Sequence, residues 1–312
     1  MQTTNSMRAT APAQAQARGT RSHAAAARQA QGQEGERAFT QSPFPQRLGT
    51  MLAVDLRRMF SGSLLYLMLG ISAVTPVLVL TMTTMFGGEA GSAAASNIAA
   101  ANGTAGSAAT TTSAAVLFTS VWQAIGSTSS ADMSMDLTTM CNMNLVYFMA
   151  AVLVCLFECA DFSSGFAKNL FCVRAKPAEY AASKVCVCWV AGALMLAAFF
   201  VGALLGGRLA GLSFAMDGFG VFNLVCCLLA KALLMGVFVG IYVVCATVAK
   251  RRTWMAMLLA FTVGMFMFMV ISLVTPLDAN LMHVLLCAAG AAIFGAGLAG
   301  AATQVLEHTD IL

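Results

Sequence analysis

The feature that most constrains this chain is a succession of apolar runs, each close in length to the thickness of a bilayer. A spanning helix needs about 20 mostly apolar residues, rising 1.5 Å each through a hydrocarbon core of about 30 Å. Six runs approach or meet that need: residues 64–86, 142–157, 185–206, 231–249, 254–276 and 281–303. The second is short, and a start near Leu137 would lengthen it. None alternates apolar and polar residues with a period of two, which argues against a membrane β-barrel. Only 10% of the residues are charged and 59% are hydrophobic, whereas a soluble domain carries about 25% charged residues. The sequence therefore predicts an all-α, multi-pass membrane protein.

The segments between the runs differ in kind. Residues 1–46 are rich in Ala, Gln, Arg, Ser and Gly without apolar periodicity, and read as a disordered basic tail. In residues 47–62, Leu48, Met51, Leu52, Leu56, Met59 and Phe60 recur at three- and four-residue steps, with Asp55, Arg57 and Arg58 between them. That pattern predicts an amphipathic helix lying in the membrane interface and leading into the first span, which Pro76 would kink. Residues 87–141 form a long Gly/Ala/Ser/Thr insertion without a single Lys or Arg. Within it, 114–126 reads as a short surface helix with Trp122 at headgroup level. The apolar run 221–249 exceeds one perpendicular crossing. Lys231 to Lys250 spans 19 steps, about 28 Å, so Lys231 is expected at the outer interface, with 219–230 interfacial or re-entrant. Snorkelling of its side chain is the simpler explanation for that lysine.

Charge gives the orientation. Eight Lys and Arg residues precede position 61, four lie in 158–184 (Lys168, Arg174, Lys176, Lys184) and three in 250–252. The opposite side has Arg208 and Lys231 only. By the positive-inside rule both termini and the 158–184 loop are expected in the cytoplasm, and the 87–141 insertion outside.

Several kinds of chemistry have little to build on. The ten cysteines lie mostly in apolar runs, with no CxxC or zinc spacing. His23, His283 and His308 are scattered, and no GxxxxGK[ST] phosphate loop occurs. No metal, no cofactor and no nucleic acid is expected on this chain. The Gly202/Gly206 and Gly236/Gly240 steps are candidate helix-packing faces. Met255, Met257, Met265, Met267 and Met269 could line an adaptable apolar path or simply contact lipid.

The polar stretch 158–184 holds the most information. Phe162, Phe166, Leu170 and Val173 fall at i, i+4, i+8 and i+11, one apolar stripe on a helix of about three turns. Pro177 ends the segment, and Lys184 is expected at the headgroups where the third span begins. The stretch SGFAKNLF…AEYAASK is similar to the cytoplasmic loop of type-2 ATP-binding-cassette (ABC) transporter permeases, whose pattern is S-G-T-I-K-N-L…R-x-x-Y-x-x-S-K. Gly165, Lys168, Asn169, Tyr180, Ser183 and Lys184 match it. Phe166-Ala167 replaces the usual Thr-Ile, and Pro177 stands near the usual Arg. VDLRRMFSGSLLY (54–66) resembles the family's entry helix, and the likeness extends over roughly residues 48–305.

The resemblance implies a six-span domain over 63–305 with an amphipathic entry helix, a cytoplasmic coupling helix in 158–184 and a large first external loop. It also implies a multi-pass place in a bacterial cell membrane, and a permease subunit of an exporter for antimicrobial peptides, drugs or lipids. ATP and magnesium would sit on a separate cytoplasmic ATPase, so this chain would not itself be an enzyme. A second permease copy and the lipid bilayer complete the expected partners. Phe162, Gly165, Phe166, Lys168, Asn169, Leu170, Arg174 and Lys184 would couple to the ATPase, with Asp55, Arg57, Arg58 and Phe60 on the entry helix. A polytopic immunity or scaffold protein without transport is the alternative.

Overall fold

The computed structural model describes residues 44–86, 118, 120–126, 141–172, 176–216, 218–250 and 252–308. The expected tail up to residue 43, most of the 87–141 insertion, Val173 and Arg174 lie outside the described residues. The chain divides into two units, 1–50 and 51–312. Of the first, only the opening turns of a helix are described, where the Thr50 hydroxyl donates to the Arg47 carbonyl at 2.8 Å.

The described residues form helices, with no strand among them: α1 (Phe44–Ser61), α2 (Ser63–Phe86), α3 (Leu145–Ser163), α4 (Phe166–Cys172), α5 (Pro177–Ala210), α6 (Val221–Ala249), α7 (Thr253–Val274) and α8 (Leu281–His308). A single 3-10 turn, Val121–Ala124, precedes α3. Five helices, α2, α3, α5, α6 and α8, are long and apolar enough to cross a membrane, and α7 is apolar over Thr253–Phe268. The protein is thus an all-helical, multi-pass membrane type.

Three boundaries differ from those read in the sequence. The second span reaches Ser163 as one helix, because Glu158 and Asp161 are buried and bonded and do not end it. The third begins at Pro177, the proline occupying the first helical turn, where no N–H is needed. At 34 residues it is about 51 Å long, well beyond a hydrocarbon core. The fourth runs unbroken over 29 residues, so no re-entrant segment interrupts 219–230.

Within residues 51–312, α6 is the central helix and packs against α3, α5, α7 and α8. The core around it includes Tyr147, Met195, Phe199, Met235, Phe238 and Tyr242. α2 and α8 are peripheral and present most of their surface outward. Their outward residues, such as Tyr66, Leu67, Met282 and Phe294, are large and apolar, as a lipid-facing surface requires. On α7, Met255, Met265 and Met267 are exposed, while Ala256, Ala260 and Phe268 face the core.

α2 is pinned to α5 by a small-residue seam. A Cβ at Gly202 would collide with the Ala73 carbonyl, and one at Gly206 would lie 2.8 Å from Val77 Cα. The Ser72 hydroxyl adds a buried hydrogen bond to the Met195 carbonyl at 2.7 Å. Pro76, inside α2, faces this seam. The Gly236/Gly240 step makes no comparable seam. Gly240 meets Leu298 of α8, while Gly236 lies beside Trp189 of α5.

Candidate functional site

Charged residues gather where the ends of α1, α3 and α5 meet. α1 is amphipathic, but its buried stripe contains an acid. Asp55 lies one turn from both Met51 and Met59, so the helix that buries Met59 carries Asp55 inward too. α3 supplies Glu158 and Asp161 from its last turns, and α5 supplies Tyr180, Ser183 and Lys184 from its first. Asp55, Glu158, Asp161, Ser183 and Lys184 are all buried.

Lys184 is the hub. Its ammonium donates to Asp55 Oδ1 at 3.0 Å and to Asp161 Oδ2 at 2.5 Å. The second oxygen of each acid is also bonded: Asp55 Oδ2 accepts from the Ser183 hydroxyl at 2.8 Å, and Asp161 Oδ1 from Arg58 Nη2 at 2.7 Å. Two cations thus face two carboxylates, with all four acid oxygens bonded. Aromatic rings enclose them. The Lys184 ammonium lies 4.3 Å from the centre of the Phe157 ring, and the Arg58 guanidinium 3.9 Å from that of Phe166, both within cation–π range. Glu158 is a third acid without a cationic bond partner. Its Oε2 accepts from the Tyr180 hydroxyl at 3.1 Å, and its Oε1 has no partner.

This clasp corrects the expected position of Lys184. Its side chain is enclosed by protein and not exposed on the helix surface, because α5 starts seven residues before it and carries it into the cluster. The expectation for Asp55 also changes, from the polar face of the entry helix to a buried ion pair. Arg58 joins it with about a third of its side chain exposed. Arg57 and Phe60 remain exposed.

The loop helix differs as well. Phe162 and Phe166 do not share one continuous helix. α3 ends at Ser163, and Gly165 turns the chain with φ +75° before α4 starts at Phe166. No atom crowds a Cβ at that position, so the backbone conformation alone favours glycine there. The Asn169 N–H returns to the Gly165 carbonyl at 3.0 Å. The apolar stripe then turns inward. Phe162 and Ala167 pack with Tyr180 and Leu306, joined by Met51, Leu170 and Phe171. The outward-facing residues are Ser163, Ser164, Lys168 and Asn169.

The sequence reading missed Glu158 and Asp161, and placed Ser183 only as part of a motif. A second polar site lies at the opposite end of α3, around the lysine expected to snorkel at the outer interface. Lys231 is buried, not snorkelling, and donates to Asn144 Oδ1 at 2.8 Å. Trp122 is likewise buried, with its ring edge-on to Phe214 and Phe219 at 6.2 and 6.0 Å. Its turn is held to the bundle by the Val121 N–H on the Ser213 carbonyl and the Met143 N–H on the Ala124 carbonyl. The described residues hold no cluster of three or more metal-binding side chains. No protein-family model, curated protein or solved structure matches this chain.

Proposed function

We propose that this chain is the permease subunit of a type-2 ABC exporter with six spans, α7 supplying the sixth. It carries an antimicrobial peptide, drug or lipid across the cell membrane with the power of a separate cytoplasmic ATPase. The clasp supports this reading most directly. Lys184 and Arg58 join the entry helix α1 to the ends of α3 and α5, and Phe166, the first residue of α4, lies against Arg58. A push on α4 therefore reaches three other helices through bonded groups and not through a flexible loop.

The geometry divides the coupling residues into two sets. Lys168 and Asn169 face outward and would touch the ATPase. Phe162, Phe166 and Leu170 with Lys184 face inward and would carry the movement onward. In a membrane, both termini and this clasp would lie on the cytoplasmic side, as the positive-inside count favours.

The test is co-purification of an ATPase in detergent, followed by ATPase assays with the reconstituted complex. Lys168→Glu should weaken ATPase binding. Phe166→Asp should leave binding near normal and abolish stimulated turnover. Unchanged binding and turnover in both variants would remove α4 from the mechanism, and failure of any ATPase to associate would sink the permease reading.

A further inference from the structure

Lys231 is fully enclosed at the level where α6 passes the start of α3. An ammonium has three N–H donors and no acceptor capacity. One donor is used on the neutral amide oxygen of Asn144, at 2.8 Å. Among the described residues no carboxylate is bonded to this lysine, and the ion pairs of Lys184 and Arg58 lie in the clasp at the other end of α3. Asp278, the acidic residue of the α7–α8 turn, is exposed. A buried cation without a counter-ion is costly, and an ionisable group at membrane depth marks a functional site by default.

The surroundings narrow the ligand. The Tyr147 hydroxyl is already committed as a donor to the Lys231 carbonyl, at 2.9 Å. The Cys227 thiol donates to the Thr275 carbonyl. The turn carrying Trp122 ends at Gly126, which lies beside the lysine: a Cβ placed there would sit 3.8 Å from Lys231 Cε and 3.4 Å from Leu277 Cγ. That same turn holds a second buried donor without a partner, the Trp122 indole N–H. Unmet donors set among apolar side chains suit an anion whose remaining surface is apolar. A free hydrated anion would lose its water there with little in return.

We propose that Lys231 is the recognition site for a single acidic group, a carboxylate or phosphate monoester, carried on an apolar molecule, with the turn 121–126 as its outer wall. The proposal deepens the permease reading by naming the chemistry of the cargo. Its test is a binding measurement that needs no ATPase, so the two readings fail separately.

Trp189→Phe and Trp254→Phe leave Trp122 as the only indole in the chain. In neutral detergent this variant is titrated with lysophosphatidic acid, with lysophosphatidylcholine of the same chain, and with inorganic phosphate. Lysophosphatidic acid should give a saturable change in Trp122 fluorescence. The midpoint should rise about tenfold or more in Lys231→Gln, which retains a donor for Asn144, and in Lys231→Met, as loss of a charged hydrogen-bond partner implies. Lys231→Arg should restore it. An equal response to lysophosphatidylcholine, or an unchanged midpoint in Lys231→Gln, would overturn the proposal. Saturation by inorganic phosphate at similar concentration would overturn the requirement for an apolar body.

Discussion

Asp161 and Glu158 are neighbours in the clasp with opposite consequences for stability. Removing one member of a buried ion pair leaves the other charge uncompensated, which costs about 3–5 kcal/mol. Asp161→Asn strips both Arg58 and Lys184 of a carboxylate oxygen and should therefore lower the thermal midpoint in detergent strongly. Glu158→Gln removes a charge that has no cationic bond partner and keeps an oxygen for the Tyr180 hydroxyl. That variant should match or exceed the wild-type midpoint. A loss as large as that of Asp161→Asn would mean that Glu158 carries part of the pairing. Gly165 supplies a further contrast at this scale. Its φ of +75° costs an L-residue about 1–2 kcal/mol, so Gly165→Ala should destabilise the α3–α4 turn although space is free around it. Faster proteolysis within 163–172, with the rest of the chain intact, is the expected readout.

Among the helices, identical sequence patterns have different fates. The Gly202/Gly206 and Gly236/Gly240 steps look alike in the sequence, and only the first is a seam where two backbones meet. Gly206→Val should separate α2 from α5 at a cost of about 1–3 kcal/mol or more, since Val77 Cα and the Pro76 carbonyl cannot rotate aside. Gly236→Ala should be tolerated, because its Cβ would meet the Trp189 ring at an ordinary 3.5 Å. Comparing the elution profiles and melting curves of the two variants decides the matter. Helix existence was legible from apolar run length, and the apolar runs 64–86, 254–276 and 281–303 coincide with the helices α2, α7 and α8 to within a few residues. The ends of α3 and α5 were not legible. The second span was expected to stop at 157 and the third to start at 185, because run length cannot distinguish a charge in water from one neutralised by a distant partner. One signal was available and passed over: Asp55 falls at helical spacing from Met51 and Met59, on the buried stripe.

For the whole molecule, the proposed orientation rests on charge asymmetry. A single cysteine introduced at Ala105, in a chain otherwise free of accessible thiols, should react with an impermeant maleimide only from outside. One at Lys176 should react only from inside, and the reverse pattern would invert the topology. The core around α6 follows from apolar content, but the clasp pairs Asp55 with a lysine 129 positions away, and no local pattern spells out that pairing.

That separation bears on how the chain is made. Asp55 lies 129 residues before Lys184. At about 5–20 residues per second, synthesis leaves that acid without its cation for roughly 6–26 s. Asp161 waits only 23 residues for the same lysine. A nascent chain stopped before α5 therefore holds α1 and α3 with acids that nothing neutralises, except for the bond from Arg58. Only the arrival of α5 supplies the buried ammonium on which both acids converge.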